Sequence, residues 1–222
     1  KKRSGRLSSV TFKSEEGVLE GGAVPPRLSV VVPAYNEEVR IGGTLERMVA
    51  YFREKHESFE ILVVSDGSTD GTREWLATLA TPFRVVLNDR NLGYAAANNR
   101  GAALAQGKWL ALLNNDLVLP RGWFEPLLAA HRDLGPRAGI VGNVQLSIPS
   151  GEVDHAGMRL NLKGKWEHIR QRPNALIRHL QPIRHSPAVT GACVLLESDL
   201  WRKLGGFDEA YVNGGEDVDL CF

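Results

Sequence analysis

The sequence predicts a single α/β domain with a mostly parallel central sheet and helices on both faces. Short apolar runs rich in β-branched residues alternate with segments of helical periodicity, and turn residues separate them. The chain has 222 residues, 43% hydrophobic and 24% charged, which is ordinary globular composition. Right-handed crossovers between parallel strands place the strand C-termini along one edge, where ligands of open α/β sheets bind.

Four strand–helix units account for the first part of the domain. Residues 28–32 are a continuous apolar run closed by Pro33, which is typical of a strand buried on both faces. Apolar residues then recur at helical spacing from Ile41 to Phe52. The predicted strands are 28–32, 59–64, 83–87 and 109–113, and the predicted helices are 41–52, 72–80, 94–106 and 122–132.

After residue 140 the alternation stops. Residues 153–162 predict a hairpin-like piece, and residues 163–187 predict a long loop that we expect on the acceptor side of a site. Residues 189–196 are apolar again, and Ser198 is a plausible N-cap of a helix that ends at Leu204.

The ends of the chain predict the domain boundaries. Residues 1–26 are polar and end in two prolines, so we expect a tail or linker there and the domain over 27–222. The last residues resemble the opening turns of a helix, so we also expect the domain to be truncated at its C-terminus.

Charge and cysteine content exclude several classes of function. The net charge of +1 gives no electrostatic argument for nucleic-acid binding. Cys193 and Cys221 fit no metal or redox spacing, which favours a reduced, cytoplasmic setting. We find neither a secretory signal nor an apolar run long enough to span a bilayer. The basic residues at 1–6 leave peripheral association with the cytoplasmic face of a membrane as an alternative.

A polar triplet, Asn114-Asn115-Asp116, directly follows the apolar run 109–113. Polar groups at the end of a buried strand are costly unless they are satisfied. Turn formation is one explanation, and a Mg²⁺ or Mn²⁺ site that holds a diphosphate is the other. Such ions often use few carboxylates plus substrate phosphates. Asp116, the one charged member, is the predicted metal ligand.

An acidic cluster of Glu216, Asp217 and Asp219 follows two glycines near the end of the chain. Acidic residues favour a helix N-terminus, which is the structural alternative. Crowded carboxylates can also raise one pKa toward that of a useful base. Asp217 is the predicted base for an acceptor hydroxyl.

The loop after the first strand contains Pro33, Tyr35 and Asn36. A rigid proline and a tyrosine at a strand end can pack a flat base or ribose. The same residues also fit a helix start, with Asn36 as the N-cap.

The second and third strand-end loops hold further candidates. Asp66 can accept a hydrogen bond from the imide N–H of a base, whereas Gly67 and Asp70 fit a turn and a helix cap. In the next loop Asn91 is expected to shape the turn, and Gly93 to let the following helix approach closely. Asp154-His155 is the one histidine pairing of note, and we expect an ordinary surface histidine there.

Seven segments in this order resemble family 2 inverting glycosyltransferases of the GT-A fold, which is Rossmann-like. The middle and C-terminal segments look most like rhamnosyltransferase-type members that act on cell-surface polysaccharides, and the first is also similar to dolichyl-phosphate sugar synthases. Two positions depart from the family pattern, Ser65 and Asn114, where the commoner residue is Asp. The segments are 30–38, 63–72, 91–98, 112–116, 191–193, 205–209 and 216–217.

The resemblance implies sugar transfer with inversion from a UDP- or dTDP-sugar, with Mg²⁺ or Mn²⁺, to a glycan or lipid-linked saccharide. The alternatives are a non-catalytic nucleotide-sugar-binding module and a polyprenyl-phosphate sugar synthase. A sugar-1-phosphate nucleotidyltransferase is disfavoured, because no Gly-rich, Arg-containing loop follows the first strand. The implied roles are the nucleoside pocket for Pro33, Ala34, Tyr35 and Glu37, base contact for Asp66, the donor pocket for Asn91, Gly93 and Asn115, metal binding for Asp116, catalytic base for Asp217, and a place near the acceptor for Glu216.

Overall fold

The computed structural model describes residues 25–55, 57–170, 183–211 and 214–222, so residues 1–24 of the tail predicted at 1–26 lie outside the described residues. Its elements include a one-turn 3₁₀ helix, Gly135–Arg137, after the fourth α-helix. In chain order they are β1 Leu28–Ala34, α1 Ile41–Glu54, β2 Phe59–Asp66, α2 Thr72–Leu76, β3 Phe83–Asn88, α3 Tyr94–Ala103, β4 Trp109–Leu113, α4 Glu125–Leu134, β5 Val141–Gly142, β6 Gln145–Leu146, β7 Val153–His155, β8 Met158–Leu160, β9 Trp166–His168, β10 Cys193–Glu197, α5 Ser198–Leu204 and α6 Glu216–Leu220.

The central sheet has six strands in the order β3-β2-β1-β4-β10-β5. The first four strands are parallel, and β10 runs antiparallel between β4 and β5. The mostly parallel sheet predicted from the sequence is therefore confirmed. Its consequence is that the loops after β1, β2, β3 and β4 meet along one edge.

The strands bury side chains on both faces, as their unbroken apolar runs predict. Val30 and Val32 pack with α1 on one face, whereas Val31 packs with α3 on the other. Helix α3 approaches the sheet closely at Gly101, where an added Cβ would lie 2.5 Å from a methyl carbon of Val31. Helices on both faces are thus confirmed.

The end of β1 differs from the prediction, because Pro33 lies within the strand rather than closing it. Pro33 is paired with Val64 of β2, but the pairing of β1 with β4 stops at Val31. The missing N–H of the proline therefore interrupts no ladder with β4.

Two predicted helices are shorter than their sequence patterns. Helix α2 ends at Leu76 and α3 ends at Ala103. After α3 the chain turns into β4, and the backbone N–H of Gln106 donates to the buried Glu60 carboxylate at 2.7 Å. The prediction that Ser198 is an N-cap is also wrong. Ser198 is the first residue of α5, and its hydroxyl donates to the Gly107 carbonyl at 2.6 Å.

The hairpin predicted over 153–162 is wrong. The chain bends at Gly157, which has a φ of +101°, and the strands on either side pair elsewhere. Strand β7 pairs with β6, and β8 pairs with β9, which lies inside the segment predicted as a long loop. Residues 171–182 of that segment lie outside the described residues. Within the described ranges, no helix is long and apolar enough to cross a membrane.

Candidate active site

The loops after β1 and β2 are joined by hydrogen bonds through Asn36. Its side-chain oxygen accepts from the backbone N–H of Thr69 at 2.8 Å, and its own N–H donates to the Ser68 hydroxyl at 3.1 Å. Asn36 has a φ of +56°, a conformation that asparagine tolerates better than most residues. It is not the predicted N-cap, because α1 begins at Ile41 with Arg40 in the cap position.

Asp70 strengthens the same junction. Its carboxylate accepts from the N–H of Thr72 at 3.0 Å and from the N–H of Glu38 at 3.2 Å. It therefore satisfies the N–H of the first residue of α2 and also holds the β1 loop, but the cap position of α2 is Gly71 and not the predicted Asp70. Burial opposes the charged form, but these hydrogen bonds outweigh it and lower the pKa of Asp70.

The residues predicted to frame the nucleoside differ in how much they expose. Tyr35 is 47% exposed beside the strand end, so its ring is available to a flat ligand. Ala34 is 2% exposed and belongs to the core, so it offers a ligand almost no surface. The Glu37 carboxylate is paired with the guanidinium of Arg40 at 2.8 Å.

Asp66 lies at the end of β2 and holds the loop after β3. It is 5% exposed, and its carboxylate accepts from the amide of Asn88 at 2.8 Å and from the N–H groups of Leu92 at 3.0 Å and Gly93 at 2.9 Å. Contact with a base stays a prediction for this residue. The structure adds a second role, which is to order the loop beside the predicted pocket.

Asn91 and Gly93 shape that loop. The Asn91 side-chain oxygen accepts from the N–H of Gly93 at 2.9 Å, which confirms its predicted role in the turn. Gly93 has a φ of +94°, and an added Cβ would meet nothing within 4 Å. Gly93 therefore provides the backbone conformation that starts α3, not the predicted close approach of the helix.

The triplet after β4 separates into three different environments. The amide of Asn115 donates to the Pro33 carbonyl at 2.9 Å, so its side chain is turned toward β1. The side-chain oxygen of Asn114 is buried and has no hydrogen-bond partner in the part of the chain that the structure describes. Asp116 is exposed, and with Asn114 it lines a cavity of about 1600 Å³ that also reaches His168 of β9.

The residues at this strand end fit a hard divalent cation. Asp116 offers a carboxylate and Asn114 an amide oxygen that lacks a partner, and oxygen ligands are those that Mg²⁺ and Mn²⁺ prefer. Among the described residues, no group of three or more His, Cys, Asp or Glu side chains could hold a metal.

The turn Thr190–Ala192 connects the predicted base with the predicted metal site. The Gly191 N–H donates to the Asp217 carboxylate at 3.0 Å, and the Ala192 carbonyl accepts from the Asn114 N–H at 2.9 Å. Asp217 is thereby held one short turn away from the end of β4. The sequence places these two segments about a hundred residues apart, and the structure brings them together.

Glu216, the first member of the acidic cluster, is a buried carboxylate. Glu216 is 7% exposed at the start of α6, and burial followed by the nearby Asp217 charge raises its pKa. Asp219, the third member of the cluster, is exposed and accepts from the Tyr211 hydroxyl at 3.4 Å. Asp217 therefore lies between a buried carboxylate, Glu216, and an exposed one, Asp219.

The sequence analysis assigned His155 to the surface, and that prediction is wrong. It is 1% exposed, its Nε2 accepts from the Thr190 N–H at 3.3 Å, and its ring lies 4.7 Å from that of His168. Burial, followed by the neighbouring His168, lowers the pKa of His155 to about 4. In β7 His155 shares a face with the buried Val153 and alternates with the exposed Asp154, a local signal that could have indicated an inward-facing side chain.

Comparison with known proteins identifies the family. Residues 29–203 match the model described as Glycosyl transferase family 2, so the chain belongs to that family. The O-antigen biosynthesis protein RfbC of Myxococcus xanthus is 34% identical over 203 residues, which are 88% of this chain and 16% of that protein. The chain therefore spans a small part of this relative.

Solved glycosyltransferase structures share the fold. The mannosyltransferase PcManGT of Pyrobaculum calidifontis, in complex with GDP-Man and Mn²⁺, has a TM-score of 0.58 and 24% identity, covering 88% of this chain and 50% of that one. GalNAc-T7 with UDP, GalNAc and Mn²⁺ has a TM-score of 0.63 and 20% identity, covering 89% of this chain and 40% of that one. These likenesses confirm the GT-A fold that the resemblance implied.

Proposed function

We propose that this chain transfers a sugar from a nucleoside diphosphate sugar to an acceptor hydroxyl, with inversion at the anomeric carbon. The observation that carries the proposal is the Thr190–Ala192 turn. It joins the Asp217 carboxylate through Gly191 and the end of β4 through Ala192. A base for the acceptor and a site for the departing diphosphate thus lie next to each other, as a single displacement requires.

Asp217 acts as the base in this mechanism. Its carboxylate takes the proton of the acceptor hydroxyl while that oxygen bonds to the anomeric carbon and the bond to the diphosphate breaks. Glu216, buried beside it, contributes to the acceptor side. Asp116, with the amide oxygen of Asn114, holds the divalent cation, and when bound this ion stabilises charge on the departing nucleoside diphosphate.

The donor side is formed by the loops after β1, β2 and β3. Tyr35 packs against the base or ribose, and the ordered loop at Asn91–Gly93 borders the pocket, where Asp66 contacts the base. A pyrimidine diphosphate donor, UDP- or dTDP-linked, fits this set. The acceptor, a glycan or a lipid-linked saccharide, approaches through the cavity lined by Asn114 and His168.

The direct test is the substitution Asp217→Asn. Asparagine keeps the size of the side chain but cannot take a proton, so we expect transfer and donor hydrolysis to fall by about a thousandfold. Nucleotide binding should be unchanged, because the carboxylate lies on the acceptor side. Release of UDP or dTDP from the respective glucose-linked donors measures the effect, and Asp219→Asn is the matched control. Full activity in Asp217→Asn contradicts the proposal.

A calorimetric titration tests the donor and the ion. We expect UDP or dTDP to bind more tightly with Mn²⁺ than without it, and GDP to bind weakly. Equal affinity with and without Mn²⁺ argues against a metal site at Asp116. Binding without any donor hydrolysis favours the non-catalytic nucleotide-sugar module instead.

A further inference from the structure

Tyr94, the first residue of α3, connects the donor loops to the turn that carries the proposed base. Its hydroxyl donates to the Gly191 carbonyl at 2.8 Å. The residue before it, Gly93, is held through its N–H by Asp66 at the end of β2. Two consecutive residues therefore make the two contacts: Gly93 bonds to Asp66 beside the predicted nucleoside pocket, and Tyr94 bonds to Gly191 in the Thr190–Ala192 turn.

The turn at Gly191 has little room to move. A Cβ added there would lie 3.3 Å from the Tyr94 hydroxyl oxygen and 3.4 Å from the Cβ of Asp217. Gly191 thus fits between the two side chains, with its carbonyl bonded to Tyr94 and its N–H bonded to Asp217. Displacement of either contact moves the other, because both belong to one residue.

Tyr94 is suited to be a constant donor. Its ring is packed against that of Phe207, with centroids 5.9 Å apart, so the hydroxyl has a defined direction. Burial, and then the negative charges of Glu216 and Asp217, raise its pKa. The phenol therefore keeps its proton, and its hydrogen bond to Gly191, throughout the neutral range.

We propose that Tyr94 is a positioning residue for the Asp217 base: its hydroxyl holds Gly191, and Gly191 orients the Asp217 carboxylate. The inference rests on the proposed function, since it assigns Asp217 the role of base. It adds that α3 links the donor pocket to the base through a hydrogen bond that no local sequence pattern reveals.

The test is Tyr94→Phe, which keeps the ring packing and removes the hydroxyl. We expect kcat for donor hydrolysis to fall about tenfold, whereas KM for the donor and the affinity for UDP or dTDP change less than twofold. Hydrogen exchange of the Gly191 amide should become about tenfold faster. Tyr211→Phe is the control, because it removes a hydroxyl that contacts the exposed Asp219, which lies in α6 with Asp217.

A second variant guards against a general loss of structure. Gly191→Ala inserts a methyl group between Tyr94 and Asp217, and we expect the same fall in kcat with unchanged nucleotide affinity. Unchanged kcat in Tyr94→Phe, or an equal loss of nucleotide binding, overturns the positioning role. Full activity in Asp217→Asn instead overturns the base itself, and the exchange rate of the Gly191 amide still reports whether Tyr94 holds the turn.

Discussion

Polar side chains in the loops after β1 and β2 bond to neighbouring loops, whereas the end of β4 carries a buried polar atom that no described residue satisfies. Asn36, Asp66 and Asp70 each accept or donate across loops. By contrast, the side-chain oxygen of Asn114 is buried without a hydrogen bond to any described residue. The donor loops are complete as folded, while the transfer side is arranged in a way that a ligand would complete.

This difference assigns separate consequences to substitutions on the two sides. On the donor side, loss of a polar group should cost stability and binding together, since the loops support one another. On the transfer side, a substitution should change ion or proton chemistry and leave the fold intact. Three substitutions test that division and a fourth tests the burial of His155, beginning with the largest expected effect.

Asp66→Ala should have the largest effect. It removes the acceptor of the Leu92 N–H and of the Asn88 amide and leaves the Gly93 N–H with Asn91 alone, so we expect a loss of about 3 kcal/mol in the free energy of unfolding. Nucleotide binding should weaken together with it. Urea unfolding and calorimetry measure the two effects. Asp89→Ala is the control, because that carboxylate is exposed and pairs only loosely with Arg73, at 3.7 Å. Unchanged stability in Asp66→Ala contradicts the loop-ordering role.

His155→Gln should change how stability depends on pH. The pKa of His155 is about 4 in the folded protein against an ordinary 6.5, so the unfolded chain binds the proton first as the pH falls. The contribution of neutral His155 to the free energy of unfolding is therefore fully present above pH 6.5 and is lost as the pH falls from 6.5 to about 4. His168 and Asp217 contribute charges here, and their effects oppose each other.

The measurement is urea unfolding of both proteins at pH 7 and pH 4.5. The natural protein should lose about 2 kcal/mol more than His155→Gln over this interval, since glutamine cannot take up a proton. His185→Gln, at an exposed position, should behave like the natural protein. Parallel pH dependence of all three proteins would show that His155 is not buried as a neutral group.

How much of the structure can be predicted from the sequence depends on how far apart in the chain the contacting residues lie. Strand β4 has its predicted bounds, because five apolar residues stand between Lys108 and Asn114 and the signal is entirely local. The end of β1 was misplaced, because Pro33 is tolerated only where β4 no longer pairs with β1. Strand identity could therefore be predicted, while the strand end depended on a neighbour.

The site shows the same limit. Asp116 and Asp217 were predicted from local patterns, and the structure holds their segments together through the Thr190–Ala192 turn. The burial of His155 could be read from the period-2 pattern of β7, whereas the loop contacts of Asp66 come from residues distant in sequence, so no local pattern contained them. Residue types could be predicted, but their hydrogen-bond partners could not.

Asn114→Asp sharpens the transfer side of the comparison. It replaces an unpartnered amide oxygen by a carboxylate next to Asp116, so cation binding should strengthen. We expect the Mn²⁺ concentration for half-maximal UDP or dTDP binding to fall about tenfold, or about 1.4 kcal/mol. Asn115→Asp is the control. The side chain of Asn115 is turned to the Pro33 carbonyl, so a carboxylate there should not strengthen binding of the ion. An equal gain in both variants would mean that overall charge, not the Asn114 position, matters.

Tyr35→Ala should have the smallest effect and acts on the one exposed aromatic side chain that we place in the donor pocket. Because Tyr35 is 47% exposed, its loss should leave the free energy of unfolding unchanged within about 0.5 kcal/mol. Stacking on a base is worth at least about 1 kcal/mol, so affinity for UDP or dTDP should fall about fivefold. Tyr35→Phe keeps the ring and should bind like the natural protein. A loss of stability in Tyr35→Ala, or weak binding in Tyr35→Phe, would mean that Tyr35 supports the loop as Asp66 does, and is not a free surface for the nucleoside.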